Sequence, residues 1–399
     1  MSGISTEQSS ETIKRQRSGH TALYAVGAVV IIVGVAFGGL YATHTWPFGP
    51  AGTPAGSCGT QSLLGGGSTF VLPLMTTWYG NYSVNHVNYQ GIGSGAGISQ
   101  ITAKHFDFGA SDAPLNASQR AAASGILEFP ESAGAVAIIY NLPGVTKTVN
   151  LSGNVLAEIY LGTITNWSDP RITALNPATT LPATSIVVYE RSDSSGTTYA
   201  FTDFLSKDNA QWNSQFGKTL LPKWPTGTGE AKSSGVAGSV VSTADSIGYV
   251  DLTYALNHPG IGIAAIQNPA GKNIVPSLSD TLTAVQDGMA ALSGGLPSGS
   301  GDWSNVSLVN APGSTDYPIT TFTYVLVYQD VSTAYAGTAL AYSAQKAEAL
   351  VNWLDWMLTN GQTFSSIDYY TPLPSNVVTA DQTTVASMNY GGASIASCT

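Results

Sequence analysis

The chain contains 399 residues, which is enough for two domains or for one large domain. Its formal net charge is −10, which argues against nucleic acid as a partner because nucleic-acid binding relies on clustered Lys and Arg. Only 10% of the residues are charged, compared with about 25% in average soluble domains; Ser, Thr, Gly and Ala replace them. Such a surface suits a location outside the cell, and we hypothesise an acidic medium in which carboxylates lose their charge.

The N-terminal segment predicts a membrane anchor. Residues 22–42 carry no charged side chain and match the length of about 20 apolar residues that spans a bilayer. Lys14, Arg15 and Arg17 precede this stretch, and the next Lys or Arg is Lys104. The positive-inside rule therefore places residues 1–21 in the cytoplasm. Beyond a linker over residues 43–58, the chain would lie outside, as a single-pass protein of the cell membrane. The alternative is a cleaved signal peptide, whose apolar core is normally about 7–15 residues long.

The cysteines, Cys58 and Cys398, lie at the two ends of the predicted exterior part. A disulfide between them is plausible outside the cell and would close nearly the whole exterior part into a loop. Two free thiols, or a lipid-modified Cys58, are the alternatives. The sequence contains no C-x-x-C pair, which argues against a cysteine zinc site or a redox dithiol.

A strand–turn–helix pattern recurs along the chain, with Ser, Thr and Gly at each turn. Residues 63–70 predict a short strand and a Gly-rich turn, and Pro73 suits the first turn of the following helix. Residues 87–90 predict the next strand, which leads through a second Gly-rich turn into a helix containing Ile98 and Ile101. Small polar residues at a helix start leave backbone N–H groups free to face an anion. The glycines do not complete a nucleotide-binding pattern.

Two further turns carry charged side chains. Residues 106–114 predict a strand that ends in Ser-Asp, where Asp112 either has a functional role or simply caps the next turn. Residues 185–189 predict a buried strand, followed by Arg191, Asp193 and a hydroxyl-rich helix start. Arg191 offers a forked donor suited to carboxylate or phosphate, and Asp193 is placed to hold its guanidinium. This turn is a candidate anion site, although a Ser/Thr/Gly turn can also be only a helix cap.

These turns resemble the phosphate-binding proteins of high-affinity ABC phosphate importers. The resemblance runs in order from about residue 63 to residue 378, and its main segments are 91–95, 107–115, 159–162, 191–197, 223–225, 246–250, 317–320 and 368–374. It implies an α/β, two-lobed, type II periplasmic-binding-protein (Venus-flytrap) fold with phosphate between the lobes. We expect lobe one over residues 59–140 and 317–399 and lobe two over residues 141–316. Residues 270–313, rich in Gly, Ser and Asn, are expected to be largely loops.

The resemblance also implies a set of anion ligands. Asp193 matches the family's partner for the arginine, and Phe70 and Gly196 would act through their backbone N–H groups. Asp112 would accept a hydrogen bond from a proton on the ligand, and this would favour phosphate over sulfate. Ser68 and Ser194 depart from the family, which usually has smaller residues at these positions. The implied phosphate ligands are Thr69, Phe70, Ser94, Asp112, Arg191, Ser195, Gly196 and Thr197.

The resemblance implies a receptor, not an enzyme, that delivers phosphate to the membrane permease subunits of an ABC importer. The alternatives are the same fold binding another oxyanion, a surface protein that has lost its ligand, or a phosphate-ester hydrolase with Ser194 or Ser195 as nucleophile. A serine nucleophile needs a base, and the histidines beyond the anchor lie outside the matched ligand segments. No metal or other cofactor is expected. We expect the aromatic residues Trp78, Trp167, Trp224 and Trp353, and the helix over residues 347–358, to belong to the core.

Overall fold

The computed structural model describes residues 60–396. The predicted cytoplasmic segment 1–21, the anchor 22–42, the linker 43–58 and the residues Cys58 and Cys398 lie outside this range. The prediction of an anchor and that of a disulfide therefore stay predictions. Within residues 60–396, no helix is both long enough and apolar enough to cross a membrane.

Strands and helices alternate through most of the chain. The strands are β1 (Ser62–Gly67), β2 (His86–Gly91), β3 (Phe108–Ser111), β4 (Ile126–Asn141), β5 (Asn150–Leu151), β6 (Val187–Arg191), β7 (Thr228–Glu230), β8 (Ser246–Asp251), β9 (Gly262–Ile263), β10 (Ala265–Gln267), β11 (Asn273–Ile274), β12 (Thr320–Tyr328), β13 (Asn389–Tyr390) and β14 (Ala393–Ser394). The helices are α1 (Leu72–Asn81), α2 (Ser94–Thr102), α3 (Ala117–Ala122), α4 (Gly153–Tyr160), α5 (Pro170–Leu175), α6 (Gly196–Asp208), α7 (Ala210–Gln215), α8 (Lys232–Ser242), α9 (Leu252–Leu256), α10 (Leu278–Ala290), α11 (Val331–Ala334), α12 (Ala344–Leu358), the 3₁₀-helix Asn360–Asp368 and α13 (Ser375–Ala386).

A curled sheet runs through both lobes. Across residues 60–396 it contains nine strands in the order β2-β1-β3-β12-β4-β8-β6-β7, with β9 also paired to β4. The long strand β4 pairs antiparallel with β12 up to Ala135, and from Val136 onward it pairs with β8. Tyr140, where a crossing between lobes is expected, lies in this second part, opposite β8 and β9. The exact lobe boundaries stay a prediction.

The local pattern of the recurring turns is present. β1 leads into α1, with Pro73 in its first turn, and β2 leads into α2. β6 leads into α6, whose N-cap is Ser195. Gly67 has a φ of +146°, and a β-carbon there would lie 2.0 Å from the carbonyl oxygen of Ala110. Only glycine therefore lets the β1 turn pass this close to β3.

The prediction that residues 270–313 are largely loops is wrong for their central part. Helix α10 occupies Leu278–Ala290, and its N-cap is Ser277, whose side chain accepts a hydrogen bond from the Asp280 N–H. Its buried face contains Thr281, Ala284, Val285 and Gly288. Most of these side chains are small, so the apolar helical pattern is weak in the sequence, although the tertiary structure buries that face.

The core prediction for the aromatic residues is confirmed. Trp78, Trp167 and Trp353 are fully buried, and Trp224 is half-buried and packed against the same core. Helix α12 buries Leu350, Trp353, Leu354 and Met357.

Candidate anion-binding site

The turns after β1, β2, β3 and β6 meet at the carboxyl ends of these strands. Thr69 follows β1, Ser94 is the first residue of α2, and Asp112 directly follows β3. Arg191 ends β6, and Ser195 caps α6. In open α/β sheets, ligands bind beyond the carboxyl ends of the strands. The sheet therefore brings the predicted side chains to the edge where a ligand is expected.

Distances across the cleft show that these turns converge. The hydroxyl oxygens of Thr69 and Ser233 lie 3.1 Å apart, and Arg191 Nη1 donates to the same Ser233 oxygen at 3.3 Å. A β-carbon at Gly196 would lie 2.6 Å from Asp112 Oδ2 and 2.6 Å from Ser94 Oγ. The predicted residues from the turns after β1, β2, β3 and β6 thus lie around one region.

The site is shielded from solvent. Arg191 is only 1% exposed, and in such surroundings hydrogen bonds and charges act more strongly than in water. Among residues 60–396, no hydrogen-bond partner lies near Thr197 Oγ1 or Asp112 Oδ1, both of which are buried. A buried polar atom without a partner calls for an explanation, such as a bound ion or an ordered water. The predicted side chains that are buried are Thr69, Phe70, Ser94, Asp112, Arg191, Ser195 and Thr197.

Asp193 holds the Arg191 guanidinium with both of its carboxylate oxygens. Arg191 Nε donates to Oδ1 at 2.7 Å and Nη2 donates to Oδ2 at 2.6 Å. The backbone N–H of Lys232 donates to Oδ1 at 2.9 Å. Burial raises the pKa of Asp193, but the hydrogen bonds and charge of Arg191 outweigh burial and leave the pKa below its usual value. The ion pair therefore persists through the neutral range and directs Nη1 toward Ser233.

Asp112 is the acidic group of the site. Its Oδ2 accepts a hydrogen bond from the Ser68 hydroxyl at 2.8 Å, and its backbone N–H donates to Ser94 Oγ at 3.3 Å. Burial raises the pKa of Asp112 to about 6, although hydrogen bonds from neighbouring hydroxyls and the charge of Arg191 pull it down. Above that pH the side chain is a carboxylate that can only accept hydrogen bonds.

The structure adds two serines that the predicted ligand set omits. Ser68 donates to Asp112, and its oxygen also accepts the Phe70 N–H at 2.9 Å, the group expected to contact the anion directly. Ser233 lies in the first turn of α8 and contacts Thr69 and Arg191. The sequence around Ser233 has the same strand–Ser/Gly–helix pattern. The strand before it, β7, is short and partly exposed, so the pattern is weaker there than in the other turns.

Ser194 contacts the first turn of α2. Its carbonyl oxygen accepts the Gly95 N–H at 3.0 Å, and a β-carbon at Gly95 would lie 2.1 Å from Ser194 Oγ. The side chain thus packs onto the start of α2 across the cleft.

Comparison with known proteins identifies the family. Residues 52–360 match the PBP superfamily domain. The phosphate-binding protein PstS of Xylella fastidiosa (strain 9a5c) is 36% identical over 341 residues, which cover 83% of this chain and 87% of the relative. The chain belongs to the PstS phosphate-binding protein family. PstS of Pasteurella multocida (strain Pm70) is also 36% identical, over 322 residues that cover 80% of this chain and 88% of that protein.

A solved structure shows the same fold. The high affinity periplasmic phosphate-binding protein PfluDING, bound with phosphate at pH 8.5, aligns with a TM-score of 0.62 at 20% identity. The alignment covers 83% of this chain and 100% of that protein. The family resemblance found in the sequence and the α/β two-lobed periplasmic-binding-protein fold are therefore confirmed.

Proposed function

We propose that this chain is an extracytoplasmic receptor that captures inorganic phosphate between its two lobes and delivers it to the permease subunits of an ABC importer. The observation that carries the proposal is the convergence of Thr69, Ser94, Asp112 and Arg191 in one buried region. The named activity of the PstS relatives supports it. The receptor binds its cargo without chemical change.

Most of the proposed ligands are neutral hydrogen-bond donors, and they are joined by one cation, Arg191, and one carboxylate acceptor, Asp112. Hydroxyl and backbone N–H donors at the starts of α2 and α6 would surround the oxyanion, as helix N-termini favour negative charge. Arg191 would add a directed guanidinium nitrogen, since Asp193 holds its other donors. The contacts proposed for the anion involve Thr69, Phe70, Ser94, Asp112, Arg191, Ser195, Gly196 and Thr197. The Phe70 N–H already donates to Ser68 Oγ, so it would have to share its hydrogen between that oxygen and the anion.

Asp112 would select for an anion that carries a proton. Phosphate near neutral pH still has a hydrogen to donate, whereas sulfate has none. Facing sulfate, the buried carboxylate would be an unpaired like charge, with a cost of several kcal/mol and a loss of roughly a thousandfold or more in affinity. Arsenate, which is also protonated in this range, is the alternative oxyanion that the same acceptor favours.

The lobes would close around the anion through direct contacts. Gly95 donates to Ser194 across the cleft, and the Thr69–Ser233 contact joins the turn after β1 to α8. We assign residues 59–140 and 317–399 to lobe one and residues 141–316 to lobe two. The change of partner along β4 at Ala135 and Val136 suggests that the first connection begins earlier on this strand than residue 140.

The hydrolase alternative lacks support from the contacts of its candidate groups. Ser195 Oγ accepts the Thr198 N–H and so caps α6, while Ser194 packs against Gly95. The imidazoles of His105 and His258 pair with the Gln100 side chain and the Tyr254 carbonyl, respectively.

We further propose that residues 22–42 anchor the receptor in the cell membrane with the binding domain outside the cytoplasm. Uncharged residues over this length support the assignment. Fractionation of cells that express the full chain or residues 43–399 tests it. Equal release of both forms from washed membranes would contradict the anchor.

Isothermal titration calorimetry of the full chain in detergent tests the receptor proposal. At pH 8 we expect one phosphate per chain, competition by arsenate, and no measurable competition by equimolar sulfate. A folded protein that releases or absorbs no heat with phosphate, and shows no thermal stabilisation by it, would refute the proposal.

A further inference from the structure

Every polar group of Ser68 is engaged in the buried turn after β1. Its backbone N–H donates to the Ala110 carbonyl at 2.9 Å, and its own carbonyl accepts the Tyr89 hydroxyl at 2.8 Å. Its side-chain oxygen accepts the Phe70 N–H at 2.9 Å and donates to Asp112 Oδ2 at 2.8 Å. Ser68 is 0% exposed, so water does not compete for these bonds.

These contacts determine where the hydroxyl hydrogen lies. A serine hydroxyl has one hydrogen and two acceptor lone pairs. The Phe70 N–H can only donate, so it occupies one lone pair. An ionised Asp112 can only accept, so the hydroxyl hydrogen points to its Oδ2. Asp112 Oδ2 lies beside Gly196 and Ser94. A β-carbon at Gly196 would be 2.6 Å from Asp112 Oδ2 and 2.6 Å from Ser94 Oγ. Protonation of Asp112 would weaken or reverse this hydrogen bond, so the bond stabilises the carboxylate and favours Oδ2 as an acceptor.

We propose that Ser68 is a specificity-determining positioning residue, whose hydroxyl opposes protonation of Asp112 and so favours, at and above neutral pH, anions that bring their own hydrogen. The inference rests on the proposed phosphate-receptor function.

The other ionisable groups around Asp112 come from several elements. Arg191 at the end of β6 lowers the pKa of Asp112. Glu131 of β4 and Asp251 at the end of β8 interact with Asp112 as like charges. The phenols of Tyr89 on β2 and Tyr324 on β12 also lie within electrostatic range.

Removal of the Ser68 hydroxyl leaves these groups in place and takes away a donor to the carboxylate. Burial, which raises the pKa of Asp112 to about 6, is then opposed by fewer interactions. In the Ser68→Ala variant the pKa of Asp112 therefore rises further, and Oδ2 can carry the proton. A protonated Asp112 can donate a hydrogen bond, which a fully deprotonated anion can accept.

Sulfate is the probe for this effect, because it takes up no proton between pH 5 and 8. In the full-length wild-type protein we expect sulfate affinity to be weak at pH 8, to rise about tenfold per unit as the pH falls, and to level off near the pKa of Asp112. In Ser68→Ala the sulfate affinity should reach its plateau at a higher pH. Each pH unit by which the plateau moves corresponds to about a tenfold gain in sulfate affinity at pH 8. Calorimetry at half-unit intervals of pH measures the profile.

Matched variants separate this role from a general loss of packing. Ser132 on β4 is also 0% exposed and donates to a backbone carbonyl, that of Thr371, so Ser132→Ala should keep the wild-type profile. Ser68→Cys preserves the size of the side chain and weakens the donor, so its displacement should be in the same direction and smaller. If Ser68→Ala does not fold, the pH profile of sulfate affinity is measured with Ser68→Cys instead.

The outcomes distinguish the two proposals. A wild-type protein that does not bind phosphate at pH 8 overturns the receptor function itself. A wild-type protein that binds phosphate, with a sulfate profile that is the same in Ser68→Ala or Ser68→Cys, overturns the role of Ser68 alone. Displacement of the profile to higher pH in the Ser68 variants, with none in Ser132→Ala, supports it.

Discussion

The contact between Gly95 and Ser194 gives a direct test of closure between the lobes. In the Gly95→Ala variant the new methyl carbon would lie 2.1 Å from Ser194 Oγ and 2.4 Å from Ser194 Cβ. Rotation of the hydroxyl relieves only the first overlap, because Cβ is attached to the backbone. Carbon atoms pack at about 3.5–4.0 Å, so the two turns must separate by about 1 Å.

This separation has a calculable cost. The hydrogen bond from Gly95 N–H to the Ser194 carbonyl, now 3.0 Å long, would be lost, and such a bond contributes about 0.5–1.5 kcal/mol. Overpacking of a tight contact costs about 1–3 kcal/mol. We expect closure to lose about 2 kcal/mol, which corresponds to a phosphate affinity reduced about 30-fold. Gly95 lies in the first turn of α2, where alanine favours the helix, so the lobe itself should not be destabilised.

Calorimetry with phosphate and thermal unfolding without it separate the two effects. The double variant Gly95→Ala/Ser194→Gly removes both overlapping atoms and should recover most of the lost affinity. Gly238→Ala in α8 is the matched control, because nothing lies within 4 Å of the new β-carbon and phosphate affinity should not change. Wild-type affinity in Gly95→Ala, or an equal loss in the double variant, would refute the reasoning.

Three further predictions concern ionisable groups. Asp112→Asn replaces a charged acceptor by a neutral amide that can also donate. It should weaken phosphate binding, since a hydrogen bond to a charged group is worth about 1.5–3 kcal/mol, and should reduce the preference for phosphate over sulfate in competition titrations; unchanged selectivity would contradict this role. Asp193→Ala should weaken phosphate binding by about tenfold or more, because Arg191 loses the acceptors at 2.7 and 2.6 Å that orient it, whereas Asp169→Ala, on the exposed ion pair with Arg171, should leave affinity unchanged. Burial raises the pKa of Glu131 to about 8 and that of Asp112 to about 6, so the folded state binds more protons than the unfolded state between about pH 5 and 8 and the free energy of unfolding should fall as the pH rises. Calorimetric melting over this range should show a smaller pH dependence in Glu131→Gln, and stability that increases with pH would contradict the assignment.

Local signals were sufficient for most of the elements that carry the site. The alternation of a short apolar strand, a Ser/Thr/Gly turn and an amphipathic helix predicts β1–α1, β2–α2 and β6–α6, because strand formation and helix capping depend on neighbouring residues. The spacing of Arg191 and Asp193 predicts their ion pair for the same reason. Helix α10 was missed because its buried face consists largely of small side chains.

Contacts between distant parts of the chain depend on the tertiary structure. The sequence by itself determined the turn chemistry, the family and the acidic group at Asp112. Only the folded chain decided that Ser68 donates to Asp112, that Ser233 joins Thr69 to Arg191, and that Ser194 packs on Gly95. The physical reason is that these residues approach one another through the pairing order of the curled sheet, in which β1 pairs with β3 and in which β12 and β4 connect these strands to β8 and β6. The direction of a serine hydroxyl hydrogen depends on which acceptor lies next to it, and for Ser68 that acceptor is 44 residues away in the sequence.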